Sequence, residues 1–186
     1  MIARMRDALS SPVVSLGFGW RRFVAALATT GIVVALICGK PARHSPVLVW
    51  NASASAPIGL YLRQDEIAVS RGDLVLVEPP RDLAKFADER RYLPLGVPLI
   101  KRVVATSGST ICGHGDTVSI DGKAALKRLQ LDGKNRPLPS WEGCHRLGSA
   151  EVFLAMENVP GSFDGRYFGP LLATTITGRL VPLWTR

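Results

Sequence analysis

The chain reads as a mainly β domain behind one N-terminal apolar helix, and three observations predict it. Residues 23–39, FVAALATTGIVVALICG, carry no charge and lie at the short end of the length a helix needs to cross a bilayer's hydrocarbon core. Beyond them the periodicity changes to short runs rich in Val, Ile and Leu, bounded by Gly, Pro and Asp, which is the pattern of strands. The 186 residues leave room for one domain with a real core plus one accessory segment, and two full domains would be a squeeze. A hydrophobic content of 47 % with 20 % charged residues and a mean hydropathy of +0.17 argues against disorder and assigns part of the apolar content to a membrane.

In chain order, residues 1–22 come first and are basic. Arg4, Arg6, Arg21 and Arg22 stand against one acid, Asp7, so the positive-inside rule places this segment in the cytoplasm and residues 40–186 outside. Trp20 sits where an interfacial aromatic anchor would. A cleaved signal peptide or a buried core helix would also follow arginines with an apolar run, and the first of these keeps the conclusion of export. No small-x-small cleavage site is obvious, and Ala35-Leu36-Ile37-Cys38 is a poor lipoprotein box, which favours an uncleaved anchor. The net charge of +8 comes from Arg and Lys spread along the chain, with no basic run and no interleaved aromatics, and does not point to nucleic acid.

Cysteine usage fits export. Cys38 belongs to the apolar segment, leaving Cys112 and Cys144 as the pair an oxidising compartment would let bridge. The competing reading is a metal held by Cys112, His114, Cys144 and His145, although adjacent Cys-His and the missing two-to-four-residue ligand spacing suit a tetrahedral ion poorly. The expectation is therefore a disulfide and no metal.

Five runs read as strands: DLVLVEPP (73–80), PLIKRVVAT (98–106), TVSIDGKAAL (117–126), EVFLAMENV (151–159) and TGRLVPLW (177–184). Asp121-Gly122 is a hairpin turn signal. RDLAKFADERRYL (81–93) has helical character, and the polar, turn-rich 127–148 reads as a loop or extended excursion tied down by Cys144. There is no internal repeat, no phosphate-binding Gly-rich loop and no dinucleotide fingerprint, so no cofactor is expected.

Three weak signals carry chemistry. Ser53 and Ser55 in NASASAPIGLYL (51–62) precede a Pro-x-Gly turn, where a small-residue linker leaving the membrane is the plain alternative, and Asn51-Ala52-Ser53 also matches a glycosylation sequon. In PLIKRVVAT, strand alternation places Leu99, Lys101 and Val103 on one face and Ile100, Arg102 and Val104 on the other, so one cation shares an apolar face. A buried lysine can lose its proton near neutrality and act as a general base, unless the strand lies at an edge and both side chains reach water. In GSFDGRYFGP (161–170), Ser162, Asp164 and Arg166 fall at spacing two, so an extended segment would project hydroxyl, carboxylate and guanidinium to one side. Asp164-Gly165 could equally be only a turn, and Tyr167 and Phe168 only core aromatics.

Together, in this order behind an N-in anchor, the three segments resemble the type I signal peptidase superfamily of Ser/Lys proteases, and NASASAPIGLY is most similar to its conjugative-transfer, TraF-like branch. The resemblance covers residues 47–184. It implies a signal-peptidase-like β-domain in which Ser55 is the nucleophile, Lys101 its general base and Ser53 the side-chain donor of an oxyanion hole completed by the Ser55 N–H. It further implies that Ser162 orients the lysine amine, that Asp164 and Arg166 support the site with Asp164 more than scaffolding, and that Asn158 belongs with them. Two departures stand out: Met156-Glu157-Asn158 occupies the place of the leader peptidases' Gly-Asp-Asn, and Ser-Ala-Pro replaces Ser-x-x-Pro. Both favour the conjugative branch. The implied function is a serine endopeptidase of the bacterial inner membrane, catalytic domain in the periplasm, that processes an exported propilin for the conjugative pilus machinery, with or without cyclisation. A cleaved N-terminal segment would make it soluble in the periplasm. A general secretory signal peptidase and a non-catalytic structural subunit of the transfer apparatus are the alternatives.

Overall fold

Backbone pairing, more than local propensity, organises the chain into two antiparallel sheets. The computed structural model describes residues 47–65 and 68–186. The expected apolar span at 23–39 lies outside them, and among the described residues no helix is long and apolar enough to cross a membrane. The first sheet has seven strands in the order β1-β2-β11-β3-β4-β9-β10, namely β1 (Leu48–Asn51), β2 (Gly59–Gln64), β11 (Ile176–Thr185), β3 (Leu74–Val77), β4 (Leu99–Ala105), β9 (Glu151–Ala155) and β10 (Leu171–Leu172). The second has four in the order β7-β6-β5-β8, built from β7 (Lys123–Lys127), β6 (Thr117–Ile120), β5 (Thr110–His114) and β8 (Gly143–Arg146). The fold is thus mainly β, as the sequence predicts.

Three of the apolar runs, forming β3, β4 and β9, go where both sheet faces are covered. All four residues of β3 are buried: Leu74 and Leu76 pack with Tyr61, Ile100 and Leu180, while Val75 and Val77 pack with Leu99, Val103 and Leu154. A strand covered on both sides reads as a continuous apolar run rather than an alternation. In β9 the two faces serve different clusters, Val152 and Leu154 joining the β3–β4 core, and Phe153 and Ala155 joining Ile111, Val118 and Leu126 of the second sheet. At the predicted hairpin, Asp121 and Gly122 both take positive φ, 50° and 77°, as a tight two-residue turn matched to strand twist requires.

The structure decides three readings of the sequence. The helix predicted over 81–93 stops early: α1 spans Arg81–Glu89, Arg90 caps it, and Arg91 turns to φ 58°. Within 127–148, read as a loop or an extended excursion tied down by Cys144, the part around Cys144 is the strand β8, paired with β5. All four residues of β8 are exposed, so it carries no hydrophobic period to read. The linker alternative for NASASAPIGLYL is set aside, since β1 and β2 form a hairpin from Leu48↔Leu62 to Asn51↔Gly59 with the serines in the connecting loop.

Cys112 and Cys144 face each other across β5 and β8 and are joined as a disulfide. Closing that loop of sequence separation 32 contributes about 3–4 kcal/mol in the loop-entropy picture. His114 lies with the two sulfurs, whose bond leaves neither free as a thiolate ligand. His145 instead pairs with Glu151 at 2.8 Å, so the four-ligand alternative does not assemble.

Candidate active site

The loop between β1 and β2 is held from within by Asn51, which is 6 % exposed. Its Nδ2 donates to the carbonyls of Ser53 at 2.9 Å, Ala56 at 3.1 Å and Pro57 at 2.9 Å, and its Oδ1 accepts from the Ser53 N–H at 3.0 Å. A carboxamide so engaged is no sugar acceptor in the folded protein, which closes the sequon reading. Ser53 Oγ and Ser55 Oγ lie 2.9 Å apart, and the Ser55 N–H donates to Ser53 Oγ at 3.2 Å. Ser55 is half-buried, Ser53 exposed, and the following Ala56 is buried against Tyr61, Ile100 and Met156.

Lys101 sits in β4, an interior strand between β3 and β9, directly across from Val75. An edge position is therefore not available to bring its amine to water. It is 1 % exposed, and its Nζ donates to Ser162 Oγ at 2.8 Å. Burial among apolar neighbours lowers its pKa to about 8; the Asp164 carboxylate opposes that shift and the Arg166 guanidinium adds to it. Arg102, on the opposite face, is half-buried and donates to the Gly72 carbonyl. Of the two cations, the sheet buries the one that can lose its proton.

Ser162, Asp164 and Arg166 come together, though not along an extended segment. Asp164 is extended (φ −154°, ψ −163°) and caps a short helical turn, α2 (Gly165–Phe168), so Arg166 is helical and folds back on it. Asp164 accepts from Arg166 Nε and Nη2, both at 2.8 Å, and from the Met156 N–H at 3.0 Å. Arg166 Nη2 also donates to the carbonyls of Val159 at 2.7 Å, Met156 at 3.3 Å and Ser162 at 3.3 Å. Both side chains are buried, and the fork geometry of the guanidinium fixes the 156–166 segment that carries Ser162. Gly165 is required here, since a Cβ would meet the Leu154 carbonyl at 2.7 Å and the Phe153 ring at 2.8 Å. The intervening Phe163 stacks among Phe86, Tyr92, Tyr167 and Phe168, which locks the segment from its other side.

Two hydrogen-bonded pairs therefore stand in the site, Ser53 with Ser55 and Lys101 with Ser162, and the bond from Ser55 to Lys101 is not formed. Asn158 is exposed and does not enter the Asp164–Arg166 network. It lines instead a cleft of about 410 Å³ walled by Ala54, Ala56 and Pro57 of the serine loop, by Arg102, and by Met156 and Glu157. The cleft was not signalled in the sequence, because it joins segments brought together only by the fold, and Asn51 was read only as part of a sequon, because its bonds depend on how the short loop after it turns.

Residues 20–184 match the family described as signal peptidase, peptidase S26. The chain belongs to that family. Among curated relatives, this S26 family member is 31 % identical over 177 residues to a plasmid transfer protein TraF of Escherichia coli, covering 89 % of this chain and 97 % of that protein. It is 34 % identical over 138 residues to a probable conjugal transfer protein TraF of Sinorhizobium fredii, covering 69 % and 72 %. A conjugal transfer protein TraF of Agrobacterium fabrum is 32 % identical over 148 residues, covering 73 % and 81 %. Among solved structures, a signal peptidase I from Enterococcus faecalis aligns with a TM-score of 0.37 and 22 % identity over 61 % of this chain and 97 % of that one.

Proposed function

We propose that this S26 family protein is a Ser/Lys serine endopeptidase that processes a propilin exported for a conjugative pilus. The observation that carries the reading is Lys101, a buried amine on an interior strand, tethered to Ser162 at 2.8 Å and with its pKa lowered to about 8. A lysine kept largely charged at the surface could not serve as a base near neutrality. The relatives' names, plasmid and conjugal transfer proteins, support the setting.

In this reading the Lys101 amine takes the Ser55 hydroxyl proton as Oγ attacks the scissile carbonyl carbon. The carbonyl electron pair moves to oxygen, and that oxyanion is met by the Ser55 N–H and the Ser53 hydroxyl, which in this structure are bonded to each other and turn to the oxyanion as it forms. Collapse breaks the C–N bond, and the leaving amine takes the proton from the Lys101 ammonium. Water hydrolyses the resulting ester, or an amine of the pilin displaces it and closes a ring. Ser162 holds the amine in place, while Asp164 and Arg166 hold Ser162. The approach of Lys101 to Ser55 belongs to the substrate-bound state, since catalytic hydrogen bonds are often long in empty sites and tighten on binding. We place residues 23–39 across the inner membrane, 1–22 in the cytoplasm and 40–186 in the periplasm.

The test is coexpression of the full chain with candidate propilins, with intact-mass measurement of precursor and product. Wild type yields shortened pilin, and Ser55→Ala and Lys101→Ala leave precursor. A product lighter by one water than the linear peptide marks cyclisation. Intact processing by both variants overturns the Ser/Lys assignment and leaves a structural role, whereas equal processing of unrelated secreted precursors marks a general signal peptidase.

A further inference from the structure

The carboxamide of Asn51 grips both backbone groups of Ser53: Oδ1 accepts its N–H at 3.0 Å and Nδ2 donates to its carbonyl at 2.9 Å. With the peptide group on each side held, φ and ψ of Ser53 are fixed, and so is the direction in which its side chain leaves the backbone. That direction puts Ser53 Oγ 3.2 Å from the Ser55 nitrogen and 2.9 Å from Ser55 Oγ. The same Nδ2 reaches past the nucleophile to the Ala56 and Pro57 carbonyls, so the chain on both sides of Ser55 hangs on one side chain. Burial of the Asn51 carboxamide limits competition from water at its end of these bonds.

We propose that Asn51 is the positioning residue of the oxyanion hole, acting on the reaction through Ser53. This rests on the assignment of Ser55 and Ser53 above. No other side chain fits the task. Asp would turn a carboxylate toward three carbonyl oxygens with no proton to offer, Leu offers neither donor nor acceptor, and Gln carries its carboxamide one methylene too far. Ala56, Pro57 and the rest of the loop carry no side chain that could replace it.

A double-mutant cycle separates positioning from plain stability. Cleavage of a propilin-derived peptide is measured for the full chain as wild type, Asn51→Ala, Ser53→Ala, the double variant and Ser55→Ala, each with a thermal melt. Asn51→Ala is expected to lower kcat by about tenfold to a hundredfold, short of the full loss typical of deleting an oxyanion donor, with KM changed by less than about threefold. In the Ser53→Ala background the same change is expected to cost less than about threefold, because the group it positions is gone. Asn51→Asp, which keeps the acceptor and loses the donors, should fall at least as far, and it carries the cycle if Asn51→Ala fails to fold. Full additivity with Ser53→Ala, or wild-type kcat in a folded Asn51 variant, overturns the proposal. Activity retained by Ser55→Ala overturns instead the reading of the nucleophile on which it rests.

Discussion

At the scale of single residues, Lys101 shows what burying an amine costs. Its ordinary pKa of 10.5 is lowered to about 8 in the fold, so between those values the unfolded chain binds a proton the native state does not. Stability therefore rises with pH across that window, and below about pH 8 the native state carries the full penalty, roughly 3 kcal/mol for a shift of this size. Lys101→Met removes the charge and keeps the volume. The variant should be inactive, and urea unfolding should show its stability relative to wild type declining steadily as pH rises from about 8 to about 10.5. The orphaned Ser162 hydroxyl offsets part of the gain by about 1–3 kcal/mol at every pH, without changing that slope. A stability difference independent of pH would mean that the amine does not titrate in this window.

At the scale of elements, the segment from Met156 to Arg166 is a scaffold for one hydroxyl. Arg166 satisfies the Asp164 carboxylate and ties the carbonyls of Met156, Val159 and Ser162 to one guanidinium. A lysine ammonium cannot make a forked pair and reach three carbonyls at once. Arg166→Lys is accordingly expected to destabilise by about 2–4 kcal/mol, read as a lowered denaturation midpoint, because it leaves a buried carboxylate poorly matched. An unchanged midpoint would mean that the network is not what holds the segment. The elements also divide by how well the sequence announced them. β3, β4 and β9 were legible because apolar runs mark buried strands, β11 because its apolar composition marks a strand although the fold leaves its end exposed, and the β6–β7 hairpin because Asp-Gly supplies two positive φ values. β8 was not, being exposed throughout. β1 and β2 were obscured because the small residues between them have a linker's composition, and only Asn51 reveals what they do. Ser162, Asp164 and Arg166 were found by a spacing that assumed extended chain; they meet through a helical turn instead.

At the scale of the whole molecule, two sheets separate two tasks. The first sheet carries Lys101 on an interior strand and the serine loop on a terminal hairpin, while the second is fastened by the Cys112–Cys144 disulfide, suited to an oxidising compartment. The shared core of Phe153, Ala155, Ile111 and Val118 ties the second sheet to the strand preceding the Ser162 segment. The proposed nucleophile and base are thus delivered by different elements, and sequence motifs could propose them without showing that Ser55 and Lys101 are each bonded to another partner. A serine activated by a neutral lysine predicts a definite pH dependence. The measurement is kcat/KM for a propilin-derived peptide from about pH 6 to about pH 10. It should rise about tenfold per unit at low pH and level off above about 8, as Lys101 loses its proton. A profile that is flat across that range, or that falls as pH rises toward 8, would contradict Lys101 as the base for Ser55.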